Sequence, residues 1–241
     1  MPHRMTAPAA DRGRPCLLVD LPPMPYTEAL ALQHRLVAGR IDGRLDSDVV
    51  LMLEHAPVFT LGRRGGLEDL IVPRDRLTKA GIVVAAAERG GLITYHGPGQ
   101  LVVYPILDLK TLGVGVRELV TALEQIMIDT AADFGIVADR DARNRGVWVG
   151  EKKLGSIGLA VRHGVSFHGL ALNVDLDLTP FSWIHPCGLA GVAMTSLAAQ
   201  GGIGVSMNTA RRRLARHFAS VLGCPLTLTA LDTLKDLKTG P

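Results

Sequence analysis

"GVWVGEKKLGSIGLAV" (residues 146–161) decides the fold class. Apolar residues alternate in its first arm, a Glu-Lys-Lys tip follows, and a glycine-rich apolar arm leads away, the pattern of a β-hairpin. Hairpins pair strands antiparallel, whereas a doubly wound parallel sheet needs a long, usually helical crossover after each strand. Working outward, "VSFHGLALNVDLDL" (165–178) extends the sheet, and "VVLMLEH" (49–55), "IVVAAA" (82–87), "LITY" (92–95) and "LVVYPILDL" (101–109) read as further strands. A surface-helix period runs through 26–42, with apolar positions at 29, 32, 36 and 37. A second helix is expected over 115–134, where Val116, Leu119, Val120, Leu123, Met127 and Ala131 form one stripe that closes before Gly135. A third, over 206–222, carries Arg211, Arg212, Arg213 and Arg216 on a face expected to be solvated. The expected fold is α+β, a mixed, largely antiparallel sheet flanked by helices.

The chain has 241 residues, of which 47% are hydrophobic and 20% charged, enough for a sizeable core. One domain is expected over 16–225, with room for a small C-terminal subdomain from about residue 190, and the tail 1–15 is expected to be poorly ordered. A net charge of +3 permits an acidic partner without demanding nucleic acid. The first twenty residues hold no apolar stretch long enough for a signal peptide, and nothing in the chain reaches a membrane-spanning length. A cytoplasmic location is expected. The cysteines Cys16, Cys187 and Cys224 have no CxxC spacing, so neither a disulfide framework nor a zinc knuckle is supported, and reduced thiols are the simplest account.

Candidate chemistry gathers in loops. "ERGGLITYHGPGQ" (88–100) packs glycines and a proline around a brief strand, and such a loop lets backbone N–H groups approach a ligand. It lacks the GK[ST] ending of a phosphate-binding P-loop. Arg89, beside Gly90 and Gly91, is placed to meet a phosphate or a carbonyl. His96 and His168 each precede a glycine and read either as satisfied structural histidines or as site residues; with His185 their spacing matches no compact zinc site. Cys187, in "SWIHPCGLAG" (182–191), is a buried structural thiol or a nucleophile. A nucleophile needs thiolate, and a free cysteine near pKa 8.5 is only a few per cent ionised at neutral pH. His185, two residues away, is a weak partner on local geometry. Lys152 and Lys153 sit at the hairpin tip, where solvation is the default, but Lys153 enters an apolar strand that can desolvate its amine.

Taken together, "LEHAPVFTLGRRGG" (53–66), "RGGLITYHGPGQLVVYPILDL" (89–109), "GVWVGEKKLGSIGLAV", "HGLALNVDLDL" (168–178) and "PCGLAGVAMTSL" (186–197) closely resemble the octanoyltransferases of lipoate biosynthesis. The resemblance implies the fold of biotin and lipoate protein ligase catalytic domains. It also implies transfer of an octanoyl group from octanoyl-acyl carrier protein to a lysine of lipoyl domains, in the E2 subunits of 2-oxo acid dehydrogenases and the glycine cleavage H protein. In that family's pattern Cys187 carries the acyl thioester and Lys153, not Lys152, serves it as base. Substrate-binding segments fall on Arg89, Gly90, Gly91, Leu92, Ile93, Thr94, Tyr95 and His96, on Ser156, Ile157 and Gly158, and on Gly169, Leu170 and Ala171. No cofactor, ATP or metal is implied, and His185 is assigned no role.

Overall fold

The computed structural model describes residues 15–184 and 192–234. In chain order the strands are β1 (Cys16–Asp20), β2 (Val49–Leu53), β3 (Val58–Leu61), β4 (Val83–Ala86), β5 (Ile93–His96), β6 (Gln100–Ile106), β7 (Asp139–Asp141), β8 (Asn144–Val149), β9 (Lys152–Arg162), β10 (Val165–Asn173) and β11 (Leu226–Leu228). The helices are α1 (Tyr26–Ile41), α2 (Arg74–Lys79), α3 (Leu109–Leu112), α4 (Val116–Asp133) and α5 (Met207–Leu222). Eight strands form one sheet in the order β11-β1-β2-β6-β10-β9-β8-β7. β1 runs parallel to β2 and β11, and every other neighbour in that sheet is antiparallel. The mixed, largely antiparallel architecture expected from the 146–161 hairpin is therefore borne out.

Two layers of helix cover the sheet. Val50, Met52, Leu101, Val103, Leu170 and Leu172 face α4 and α5, packing on Leu119, Leu123, Met127, Leu214 and Phe218. Their neighbours in sequence, Val49, Leu51, Val102, Tyr104 and Ala171, face Ala29, Leu32, Leu36 and Val37 of α1. With both faces covered, β2 and β6 are buried at every position, which is why they read as unbroken apolar runs.

Three details differ from expectation. First, β3, β4 and β5 leave the large sheet and form a separate sheet in the order β4-β3-β5. These strands are four residues each, too short for a period to say which sheet they join. Second, the α4 stripe is narrower at its start. Leu119, Leu123, Met127 and Ala131 are buried, but Val116 is 46% exposed and Val120 only partly buried. Gly135 does follow the helix in a left-handed conformation (φ +79°), the usual C-terminal stop. Third, the arginine face of α5 is not simply solvated. Arg211 pairs with Asp20 and Glu54, Arg216 with Asp133, and Arg213 stacks on Phe134, so the run clamps α5 against β1, β2 and the end of α4. Acidic groups on distant segments explain it, and no local pattern reveals them. Beyond residue 190, Ala210, Leu214, Phe218 and Cys224 join the core beneath α4, and β11 pairs with β1. Cys16 and Cys224 are both buried and free.

Candidate active site

The local origin of the site is a bulge in the hairpin. Val147 lies opposite Gly155 and Trp148 opposite Lys153, so Leu154 is an extra residue on β9. Bulges re-aim side chains. Leu154 goes into the core, and Lys153 is turned inward, 1% exposed, while Lys152 stays exposed. Nζ of Lys153 donates to Oδ1 of Asn144 at 3.3 Å and lies 5.3 Å from the centroid of the Trp148 indole. Gly146 makes this possible: at φ +125° a Cβ there would meet Gly155 O at 2.3 Å and Lys153 Cε at 2.9 Å. The main chain of Lys153 is also held, its N–H donating to Ala193 O and its carbonyl accepting from Thr195 N, both at 2.9 Å.

Lys153 opens on a cavity of ≈ 280 Å³. Its walls include the glycine loop from Arg89 to Thr94, His96, the β9 segment Ser156–Leu159, and His168–Ala171 of β10. Of the residues singled out for substrate binding, Tyr95 alone does not line it; its ring packs between Phe59 and Phe181 in the small sheet's core. Val116 and Val120, read as core, line the cavity as well, with the half-buried Asn144 and the exposed Arg64 and Arg145.

Arg89 lies in the wall, and its guanidinium is engaged with the protein. Nη1 donates to the carbonyls of Gly90 (3.1 Å) and Leu92 (2.9 Å), and Nη2 to Thr60 O (2.6 Å) and Oγ1 (2.7 Å). The carbonyls it meets are thus those of its own loop and of β3, and the side chain ties the loop to the small sheet. On the other side, Gly90 N–H donates to Leu159 O at 3.0 Å, and a Cβ on Gly158 would strike Arg89 Cδ at 2.8 Å. The glycine at 158 is what lets the loop lie on β9.

Polar side chains behind the cavity form chains rather than isolated groups. Nδ1 of His96 bonds Oε1 of Gln100 (2.7 Å), Nε2 of Gln100 donates to Oδ1 of Asn173 (2.8 Å), and Nδ2 of Asn173 donates to Thr195 O (2.8 Å). The terminal Gln of "HGPGQ" therefore links His96 to the segment bonded to Lys153. His55 bonds Met24 O through Nδ1 (3.1 Å), which leaves Nε2 to accept from the Tyr104 hydroxyl at 2.7 Å. Burial pushes the His55 imidazole down to about 4 and that of His168 to about 3, the latter helped by the Arg89 charge. His96 is lowered well below its ordinary value by burial, then by His55 and Arg89. All three rings are neutral at physiological pH. Among the described residues no cluster of three or more His, Cys, Asp or Glu side chains could hold a metal ion.

Sequence reasoning missed Asn144, Gln100, Asn173, Tyr26 and Tyr104, and left His168 open. Asn144 sits nine residues before its partner, across a bulged hairpin; Gln100 has a local partner in His96 as well as the distant Asn173, and Asn173, Tyr26 and Tyr104 are joined to the site by tertiary contacts. Cys187 and His185 lie outside the described residues.

A family model described as the lipoyl protein ligase A/B catalytic domain matches residues 25–219. The chain is 49% identical to the octanoyltransferase of Desulfotalea psychrophila over 92% of its own length and 99% of that protein's. It is 47% identical to the octanoyltransferase of Solibacter usitatus, covering 86% of this chain and 93% of that one. The chain belongs to the octanoyltransferase family. Among solved structures, lipoate-protein ligase A bound with ATP superposes with a TM-score of 0.68 at 17% identity, over 90% of this chain and 89% of that one. LipL1 of P. falciparum in complex with lipoate gives 0.74 at 14%, over 94% and 69%. At such identities these neighbours show a shared fold, that of the ligase catalytic domains. No helix among the described residues is long and apolar enough to cross a membrane.

Proposed function

We propose that this protein transfers an octanoyl group from octanoyl-acyl carrier protein to a specific lysine of lipoyl domains, those of 2-oxo acid dehydrogenase E2 subunits and of the glycine cleavage H protein. The group would pass through a thioester on Cys187, with Lys153 as base. The carrying observation is Lys153 itself, a buried amine at a ligand-sized cavity whose main chain is bonded on both sides to residues 193–195. That segment follows Cys187 closely. Met194 pairs with Lys153 and Cys187 lies seven residues before it, a tether of at most about 25 Å at 3.3–3.6 Å per residue. On the other side Ile184, three residues before Cys187, pairs with Leu70.

In the first half-reaction Lys153 takes the thiol proton and Cys187 sulfur attacks the thioester carbonyl. The tetrahedral oxyanion is held by N–H groups of the glycine loop, often the largest catalytic contribution. The carrier sulfur leaves with the proton from Lys153. In the second, the acceptor amine attacks the acyl-cysteine, amide forms, and the displaced Cys187 sulfur is reprotonated. Thioester to thioester to amide runs downhill, so no nucleotide is consumed. Two half-reactions through one acyl enzyme give ping-pong kinetics. Arg64 and Arg145, exposed at the cavity rim, suit acidic protein partners and act on association rate.

Mixing the protein with octanoyl-acyl carrier protein and no acceptor tests this by intact-mass and peptide mapping. The expected result is an octanoyl adduct on Cys187. Full transfer activity in Cys187→Ala overturns the acyl-enzyme route, and a strict ATP requirement favours a ligase instead.

A further inference from the structure

Tyr26 and His168 each bring to the cavity wall a polar atom that acyl transfer through Cys187 and Lys153 does not use. The Tyr26 hydroxyl and Nε2 of His168 are buried, belong to side chains that line the cavity, and hydrogen-bond to no described residue. Such atoms are costly to leave unpaired, and a purely alkyl environment cannot satisfy them.

Their position along the sheet gives them meaning. On β10, His168 lies opposite Leu159 of β9, six residues beyond Lys153, so about 20 Å of strand at roughly 3.3 Å per residue separates them. The wall between is small or apolar: Ile157, Gly158, Gly169, Leu170 and Ala171. An extended chain advances about 1.2 Å per bond, since three backbone bonds span 3.3–3.6 Å, so the eight bonds from the thioester sulfur to the last carbon of an octanoyl group span about 9–10 Å. Tyr26 reaches the His168 end through a run of rings: it lies 5.6 Å from His55, which bonds the Tyr104 hydroxyl, and the Tyr104 ring lies 6.1 Å from that of His168.

The backbone is bent to place His168 there. Strand alternation would send it to the α4 face with Leu170 and Leu172, yet its φ is +55°, a left-handed conformation unusual for a non-glycine residue. The ring consequently sits on the α1 face, 4.9 Å from Phe167 and 6.1 Å from Tyr104. Gln33 of α1 accepts the His168 N–H at 2.7 Å and holds the turn. Strain of this kind concentrates at ligand sites.

We propose that Tyr26 and His168 form a hydrogen-bonding cap at the far end of the acyl cavity, which reads the length and the terminal group of the acyl chain. The inference rests on the acyl-transfer reading. A saturated chain longer than the slot drives methylenes against the hydroxyl and the imidazole. A chain of the right length with a hydroxyl on its last carbon gives them a partner.

Pantetheine thioesters of octanoate, decanoate and 8-hydroxyoctanoate test this, by kcat/KM for transfer to a lipoyl domain. In the wild type, decanoyl is expected to fall at least about tenfold below octanoyl, and 8-hydroxyoctanoyl to stay within about fivefold of it. Tyr26→Phe keeps the ring and removes the hydroxyl; it is expected to lower the 8-hydroxyoctanoyl to octanoyl ratio about tenfold and to raise the decanoyl to octanoyl ratio. His168→Asn, which tolerates the left-handed backbone, is expected to act in the same direction. Ratios unmoved in both variants overturn the cap. Should the variants not fold, the wild type decides: decanoyl used as well as octanoyl, with 8-hydroxyoctanoyl a hundredfold worse, overturns it equally. A wild type that turns over no octanoyl thioester sinks the acyl-transfer reading instead, and the cap with it.

Discussion

The two faces of the large sheet are made from alternate residues of the same strands, yet they are chemically unlike. Toward α4 and α5 the interior is almost wholly apolar, and the buried Glu124 at its edge is met by Arg140 and Arg145. Toward α1, apolar packing gives way to His55, Tyr104, His168, Gln33 and Tyr26, all buried. Both faces pack the fold, but the α1 face also carries polar groups, among them the Tyr26 hydroxyl and His168 Nε2, whose burial is only partly repaid by partners among the described residues, which is the mark of a site.

The largest test of that contrast is Leu123→Ala on the apolar face. It leaves a cavity under the sheet and should cost about 2–5 kcal/mol in urea unfolding, with activity per folded molecule held within about twofold. A large activity loss at small stability cost would mean that the apolar face shapes the cavity well beyond the Val116 and Val120 it lends to the wall.

Acid should attack the polar face next. The His55 imidazole has an ordinary value of 6.5 and is held at about 4 when folded, so between those values the unfolded chain binds a proton that the folded protein refuses. Stability is therefore complete above pH about 6.5 and falls as pH drops to 4, by about 3 kcal/mol for this group alone. His168 adds to the loss in the same direction. Urea midpoints that stay flat from pH 7 to 4.5 would contradict neutral buried imidazoles.

At the bulge joining the faces, Gly146→Ala introduces a Cβ against Lys153 Cε and Gly155 O at a positive φ. A stability cost of about 1–3 kcal/mol is expected, with a fall in acyl transfer beyond what the lost folded fraction explains. Unchanged activity would mean that the inward placement of Lys153 has no bearing on turnover. The smallest effect belongs to Tyr104→Phe, which strips Nε2 of His55 of its donor. About 1–2 kcal/mol is expected, and the pH profile should shift because a neutral His55 is less well held.

Much of this was legible in the chain. The helix stripes of α1 and α4, the hairpin, and the glycine loop are local patterns, and each follows from spacing that repeats within a few residues. Lys153 was distinguishable from Lys152 by the apolar strand it enters, though the bulge that turns it inward was not. The polar chain starts locally, from His96 to Gln100 within one motif, but its links on to Asn173 and Thr195 join residues far apart in sequence, and single-residue reasoning had no means to connect them. The α5 arginines misled for the same reason: their partners Asp20, Glu54 and Asp133 lie on other segments.

The sequence by itself determined the antiparallel architecture, the apolar stripes and the family, because periodicity and contiguous motifs are properties of a one-dimensional string. The tertiary structure alone decided which strands left for a second sheet, that Arg89 is occupied by its own loop, and that His168 turns against its strand's alternation to face Tyr104. Those outcomes depend on which carbonyl, carboxylate or ring lies opposite a side chain. Such oppositions are set by packing between distant segments, and no spacing in the chain encodes them.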